Sequence, residues 1–113
     1  MNEEFVRRIY DTLVSEGCEE YKTLFEKTAI TDQTIEYWKR AICLFQGFDD
    51  SQKDIFYDIL RQTIIDTISG VFGVFDGSTA LTGGNMECSI QIDGVDTESE
   101  LQDTFMEFVE DSE

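Results

Sequence analysis

Apolar positions at the start of the chain recur at three- and four-residue intervals. Phe5, Ile9 and Leu13 stand at i, i+4 and i+8, with Val6, Tyr10 and Val14 beside them. That is the stripe of an amphipathic helix, and the pattern ends it near Gly17. Tyr21, Leu24 and Phe25 predict a second, short helix closing by Lys27. After the loop Thr28–Thr31, either Thr31 or Asp32 can cap a third helix. It carries Ile35, Trp38, Ile42 and Phe45 on one face, with Gly47 just past its end.

The longest periodic segment begins at Asp50-Ser51, either of which can cap it. Phe56, Ile59, Leu60, Ile64, Ile68, Val71, Phe72 and Phe75 recur at helical spacing. Gly70 and Gly73 each weaken a helix by about 1 kcal/mol relative to alanine. A helix to Ser69 followed by a strand through Val71–Phe75 is therefore the alternative. The stripe stays in phase across Gly70, which favours one long helix ending at Asp76-Gly77. A glycine at position 70 lets another helix approach closely.

Beyond the loop Ser78–Asn85 the period changes to two. Met86, Cys88, Ile90 and Ile92 alternate with Glu87, Ser89 and Gln91, the pattern of a half-buried strand, and Asp93-Gly94 is a tight-turn pair. A lone strand needs a partner. Ser78–Thr82, the stub Val95-Asp96 and a second copy of the chain are the candidates. Thr97-Glu98-Ser99-Glu100 fits a capping box ahead of a last helix bearing Leu101, Phe105, Phe108 and Val109. The expected fold is α+β and predominantly α-helical. Four or five helices pack with a small two-stranded β element near the C-terminal third, in a single compact domain over residues 1–113.

Charge changes this picture most. The chain has 25 acidic residues, 8 basic residues and no histidine, for a net charge of −17. Direct binding to nucleic-acid phosphates or to anionic lipid is disfavoured by that balance. A disordered acidic tail is excluded by a hydrophobic fraction of 41% that includes nine phenylalanines. Neither an apolar leader segment nor an 18-residue apolar run occurs, and the three cysteines have no CxxC spacing. Three buried, reduced thiols in a cytoplasmic protein are expected.

Catalytic chemistry has little to work with. No histidine can act as base for a serine or cysteine. Gly70–Gly77 lacks the order of a dinucleotide or phosphate-loop fingerprint. Asp93-Gly94-Val95-Asp96 does not follow the order of a calcium loop. The expectation is a protein without enzymatic activity, metal or cofactor. Trp38 shares a core stripe, whereas Tyr21, Tyr37 and Tyr57 are candidates for partial exposure.

All eight basic residues lie at or before Arg61, and residues 62–113 hold twelve acids and no base. Within that half, Asp93, Asp96, Glu98, Glu100, Asp103, Glu107 and Glu110 form the candidate partner-binding run. Asp96, Glu100, Asp103 and Glu107 follow i, i+4, i+7 and i+11, a spacing that puts them on one helical face. A solvated surface that keeps a small protein soluble is the competing explanation. Glu110, Asp111 and Glu113 oppose the dipole at the end of that helix, which predicts fraying or attraction of something positive.

The stretch DTISGVFGVFDGS (residues 66–78), followed by a short strand and LQDTFMEFVED (residues 101–111), resembles small acidic bacterial proteins of uncharacterised families. Some of these accompany polymorphic toxins as immunity proteins. The resemblance implies a binding role and supplies no catalytic residue. The leading expectation is thus a protein that neutralises or regulates a basic protein partner, such as a nuclease-type toxin. The alternatives are a nucleic-acid mimic, a structural or oligomerisation domain that pairs as a homodimer through Met86–Ile92, and a surface adapted to high salt.

Overall fold

The computed structural model describes all residues from Met1 to Glu113. Its elements are α1 (Asn2–Ile9), a π-helical turn (Tyr10–Ser15), α2 (Glu16–Lys27), α3 (Glu36–Gln46), α4 (Asp50–Asp76), β1 (Gln91–Ile92), β2 (Val95–Asp96) and α5 (Leu101–Ser112). The fold is mostly helical with one small antiparallel sheet, as the pattern of apolar positions predicts.

The first two expected helices are one rod. Gly17 keeps a helical backbone inside α2, and the irregularity falls earlier, where Glu16 N–H bonds back five residues to the Asp11 carbonyl. A π-turn inserts an extra residue into the helical period and rotates the stripe that follows. Val6, Tyr10 and Val14 are buried, while Leu13 of the neighbouring stripe is exposed.

The 27 residues of α4 extend about 40 Å at the α-helical rise. Asp49 starts the helix through a reciprocal capping box with Gln52, one residue earlier than expected. Gly77 ends it in the left-handed conformation at φ 83°. By contrast α3 has no side-chain cap: Thr31 and Thr34 bond each other's turn, and Ile35 is the N-cap residue.

Two apolar clusters lie along α4. Its C-terminal half supplies Ile65 and Phe72 to a core with Val6, Tyr10, Val14, Leu101, Phe105 and Val109. Its N-terminal half lays Phe56, Tyr57 and Leu60 against Phe25, Ile42 and Phe45. The second cluster is mainly aromatic, with Phe25–Phe56 and Phe25–Phe45 centroids 5.0 and 5.3 Å apart in edge and tilted geometry. Trp38 packs at the border of this cluster, half-buried.

The expected strand Met86–Ile92 pairs only over Gln91–Ile92, with Val95–Asp96 as its partner across the Asp93-Gly94 turn. Both turn residues have positive φ, 50° and 80°, as a two-residue hairpin with the strand twist requires. The alternation persists at Cys88, Ile90 and Ile92, whereas Met86 is exposed. The three cysteines are unpaired, and none is fully buried as expected: Cys18 and Cys88 are half-buried, and Cys43 is exposed on α3.

Candidate acidic docking face

The face begins at the hairpin and continues along α5. The expected capping box at Thr97–Glu100 does not form. Glu98 and Ser99 both take φ 57°, and no side chain of the Thr97–Glu100 segment caps α5. Asp96 supports this left-handed turn, accepting the Glu98 N–H at 2.6 Å and the Ser89 hydroxyl at 3.3 Å. Thr97 is buried; its N–H donates to the Ile90 carbonyl, and its own carbonyl accepts from the Asn2 amide at 3.0 Å.

A distant carboxylate caps α5 instead. Asp76, at the end of α4, accepts the Gln102 N–H at 2.7 Å. The Gln102 side chain reaches back to α4, donating to the Ser69 carbonyl at 3.1 Å and accepting from the Ser78 hydroxyl at 2.7 Å. Gly73 makes room for this contact. A Cβ there would stand 2.6 Å from Gln102 Nε2 and 2.1 Å from Thr79 Oγ1. The close approach expected at Gly70 therefore occurs three residues later, and Gly70 faces open space.

This anchoring sets where the acidic run points. Asp93, Asp96, Glu98 and Glu100 are exposed on the hairpin and the turn after it, and Asp103, Glu107 and Glu110 are exposed along α5. Helix α5 starts at Leu101, so Asp96 and Glu100 do not share its face. The helical stripe reduces to Asp103, Glu107 and Glu110, with the other four carboxylates ahead of its N-terminus. None of the seven is in an ion pair; those carboxylates that are paired are Glu3, Glu4, Asp11 and Glu113.

Two further acids belong to the surface. Glu3 of α1 and Asp111 of α5 join Glu107 around a shallow groove of about 160 Å³ whose floor includes Val6 and Phe108. Glu3 is remote in sequence from α5, and no local pattern connects them. Its carboxylate lies 3.6 Å from the N-terminal amine. The end of α5 is tied down rather than frayed: Arg61 bonds both the Glu113 carboxylate and the Tyr10 hydroxyl.

The Arg7 and Arg8 guanidinium groups hydrogen-bond Glu4 and hold its carboxyl down at about 2. Burial pushes the Cys18 thiol up. Burial, and then the charge of Glu26, pushes the Tyr57 hydroxyl up to about 12. No three His, Cys, Asp or Glu side chains converge to hold a metal ion, and no helix is long and apolar enough to cross a membrane. Comparison of the chain with protein-family models, with characterised proteins and with solved structures finds no match.

Proposed function

We propose that this is a non-catalytic cytoplasmic protein that binds a basic protein partner through the face formed by the hairpin, its following turn and α5. The concrete form is an immunity protein that covers the cationic active site of a nuclease-type toxin. One observation carries the reading: seven exposed carboxylates, Asp93 through Glu110, stand without a cation while the few bases pair elsewhere or lie toward the other end. Such a field steers a basic partner into encounter and favours fast association. The α5 backbone beneath it is held at both ends, by Asp76 and by Arg61, so its carboxylates are displayed in a fixed arrangement.

The test is capture of partners from the native lysate by wild type and by the triple variant Asp103→Lys/Glu107→Lys/Glu110→Lys. Basic proteins retained at low salt, released at high salt and lost in the variant support the proposal. Retention of only neutral or acidic proteins, or retention indifferent to salt, defeats it. Competition by DNA for the captured partner would redirect the reading to a nucleic-acid mimic.

A further inference from the structure

The part of the molecule built from α2, α3 and the first half of α4 is apolar and nearly neutral. Residues 21–60 carry seven acids and five bases, a net of −2, and the remainder of the chain carries −15. None of these five bases, Lys22, Lys27, Lys39, Arg40 and Lys53, is in an ion pair. Seven of the twelve exposed large apolar side chains fall in these forty residues, including Tyr37 at 67%, Leu44 at 63% and Ile59 at 58% exposure. Between α2, α3 and α4 lies a groove of about 850 Å³ walled by Phe25, Tyr37, Trp38, Leu44 and Phe56, with Arg40 as its only charged residue.

The chain is also too open for its mass. Its radius of gyration is 17.5 Å, against about 13 Å for a compact domain of this length. Its accessible surface is 7882 Å², about 1,500 Å² above the roughly 6,300 Å² expected of a compact 13.0 kDa monomer. A stable complex of standard size removes about 800 Å² from each partner, so the excess is large enough for one.

We propose that a second copy of the chain covers this aromatic end, forming a two-fold dimer through α3 and the first half of α4. Charge selects this occupant. A basic partner is drawn to the other end, and an acidic partner is repelled by the whole molecule. Two chains of −17 meet with least repulsion where each contributes −2. A two-fold axis lets the unpaired bases of one copy face acids of the other. The acidic hairpin and turn, which pack by the C-terminal half of α4, then lie away from the interface of a molecule whose long dimension is 47 Å, against a screening length of about 8 Å at physiological salt. This dimer does not depend on the partner proposed for the acidic face.

Light scattering over a concentration series tests the proposal, with fluorescence of Trp38, the only tryptophan, as a local reporter. A mass of twice 13.0 kDa and a blue shift of Trp38 emission with concentration are expected. Leu44→Glu and Tyr37→Lys alter exposed side chains; each gives a monomer with unchanged far-ultraviolet circular dichroism. Leu44→Met retains the dimer, as does the triple lysine variant on α5. A monomer at the highest soluble concentration overturns the proposal. So does a dimer that survives Leu44→Glu and Tyr37→Lys but is lost with Gln91→Pro at the hairpin edge.

Discussion

Two glycines three residues apart on α4 are expected to respond in opposite directions to the same substitution. At Gly70 an added Cβ meets nothing within 4 Å. Gly70→Ala therefore gains the helix preference of alanine, about 1 kcal/mol, without a steric cost. Gly73→Ala gains the same amount and loses more. Its Cβ would lie 2.1 Å from Thr79 Oγ1, 2.6 Å from Gln102 Nε2 and 3.0 Å from Gln102 Cδ. Thr79 has limited freedom to retreat because its backbone N–H bonds the Gly73 carbonyl at 3.0 Å. Gln102 can move only by surrendering its bonds to Ser69 and Ser78, worth about 1 kcal/mol each. Overpacking adds about 1–3 kcal/mol. The net is a loss of about 2–4 kcal/mol for Gly73→Ala, hence a gap of about 3–5 kcal/mol between the two variants. Urea unfolding followed by circular dichroism measures that gap, with the slope checked for a common transition. Gly73→Ala equal to or more stable than Gly70→Ala would refute the packing of α5 on α4. Because Gln102 lies in the first turn of α5, the same variant is also expected to weaken the binding proposed for the acidic face.

Asp76→Ala removes the remote cap of α5 and is expected to cost about 1 kcal/mol in chemical denaturation; an unchanged midpoint would mean that water caps the helix equally well. Tyr57 tests a pH dependence. Its hydroxyl titrates at about 12 in the folded chain instead of 10.0, so the native state keeps a proton that the unfolded chain releases. Stability therefore falls as pH rises between those values, and Tyr57→Phe removes this share of the fall. Below that window the buried hydroxyl makes no hydrogen bond of normal geometry, although the Glu26 carboxylate lies near enough to disfavour its ionised form, so Tyr57→Phe is neutral or stabilising by about 1 kcal/mol. A clear loss at neutral pH would reveal a hydrogen bond to the hydroxyl. Finally, moderate salt raises the melting temperature by screening a net charge of −17. A decrease in a scanning calorimeter counts against self-repulsion as a main cost.

The elements that are legible in the sequence are those defined by local period. The long helix through Gly70 follows from eight apolar residues in phase, and the hairpin follows from Asp93-Gly94 with alternation before it. Caps were less legible, because a cap depends on one local geometry among several that neighbouring residues offer. Asp49 competes with Asp50 and Ser51 one and two positions along, and Thr97 fits a capping box yet is buried in a turn. For the candidate site, the exposure of all seven carboxylates follows from their charge. Their division between a hairpin, a turn and a helix does not, because Asp96 and Glu100 fit the helical period as well as Asp103 does.

The sequence alone determined the helical class, the late two-residue period and the concentration of negative charge after Arg61, since each is a property of neighbouring residues or of composition. Only the tertiary structure decided which glycine admits a neighbour, which acid caps α5 and which distant acid joins it. It also decided that an aromatic groove with Arg40 as its one charged residue opens beside the N-terminal half of α4. Contacts such as Gln102 on Gly73, Arg61 on Glu113 and Glu3 beside Glu107 join positions far apart in the chain. Their energy arises only when two helices pack at a particular depth and rotation, and here a π-turn at Tyr10–Ser15 helps set that rotation.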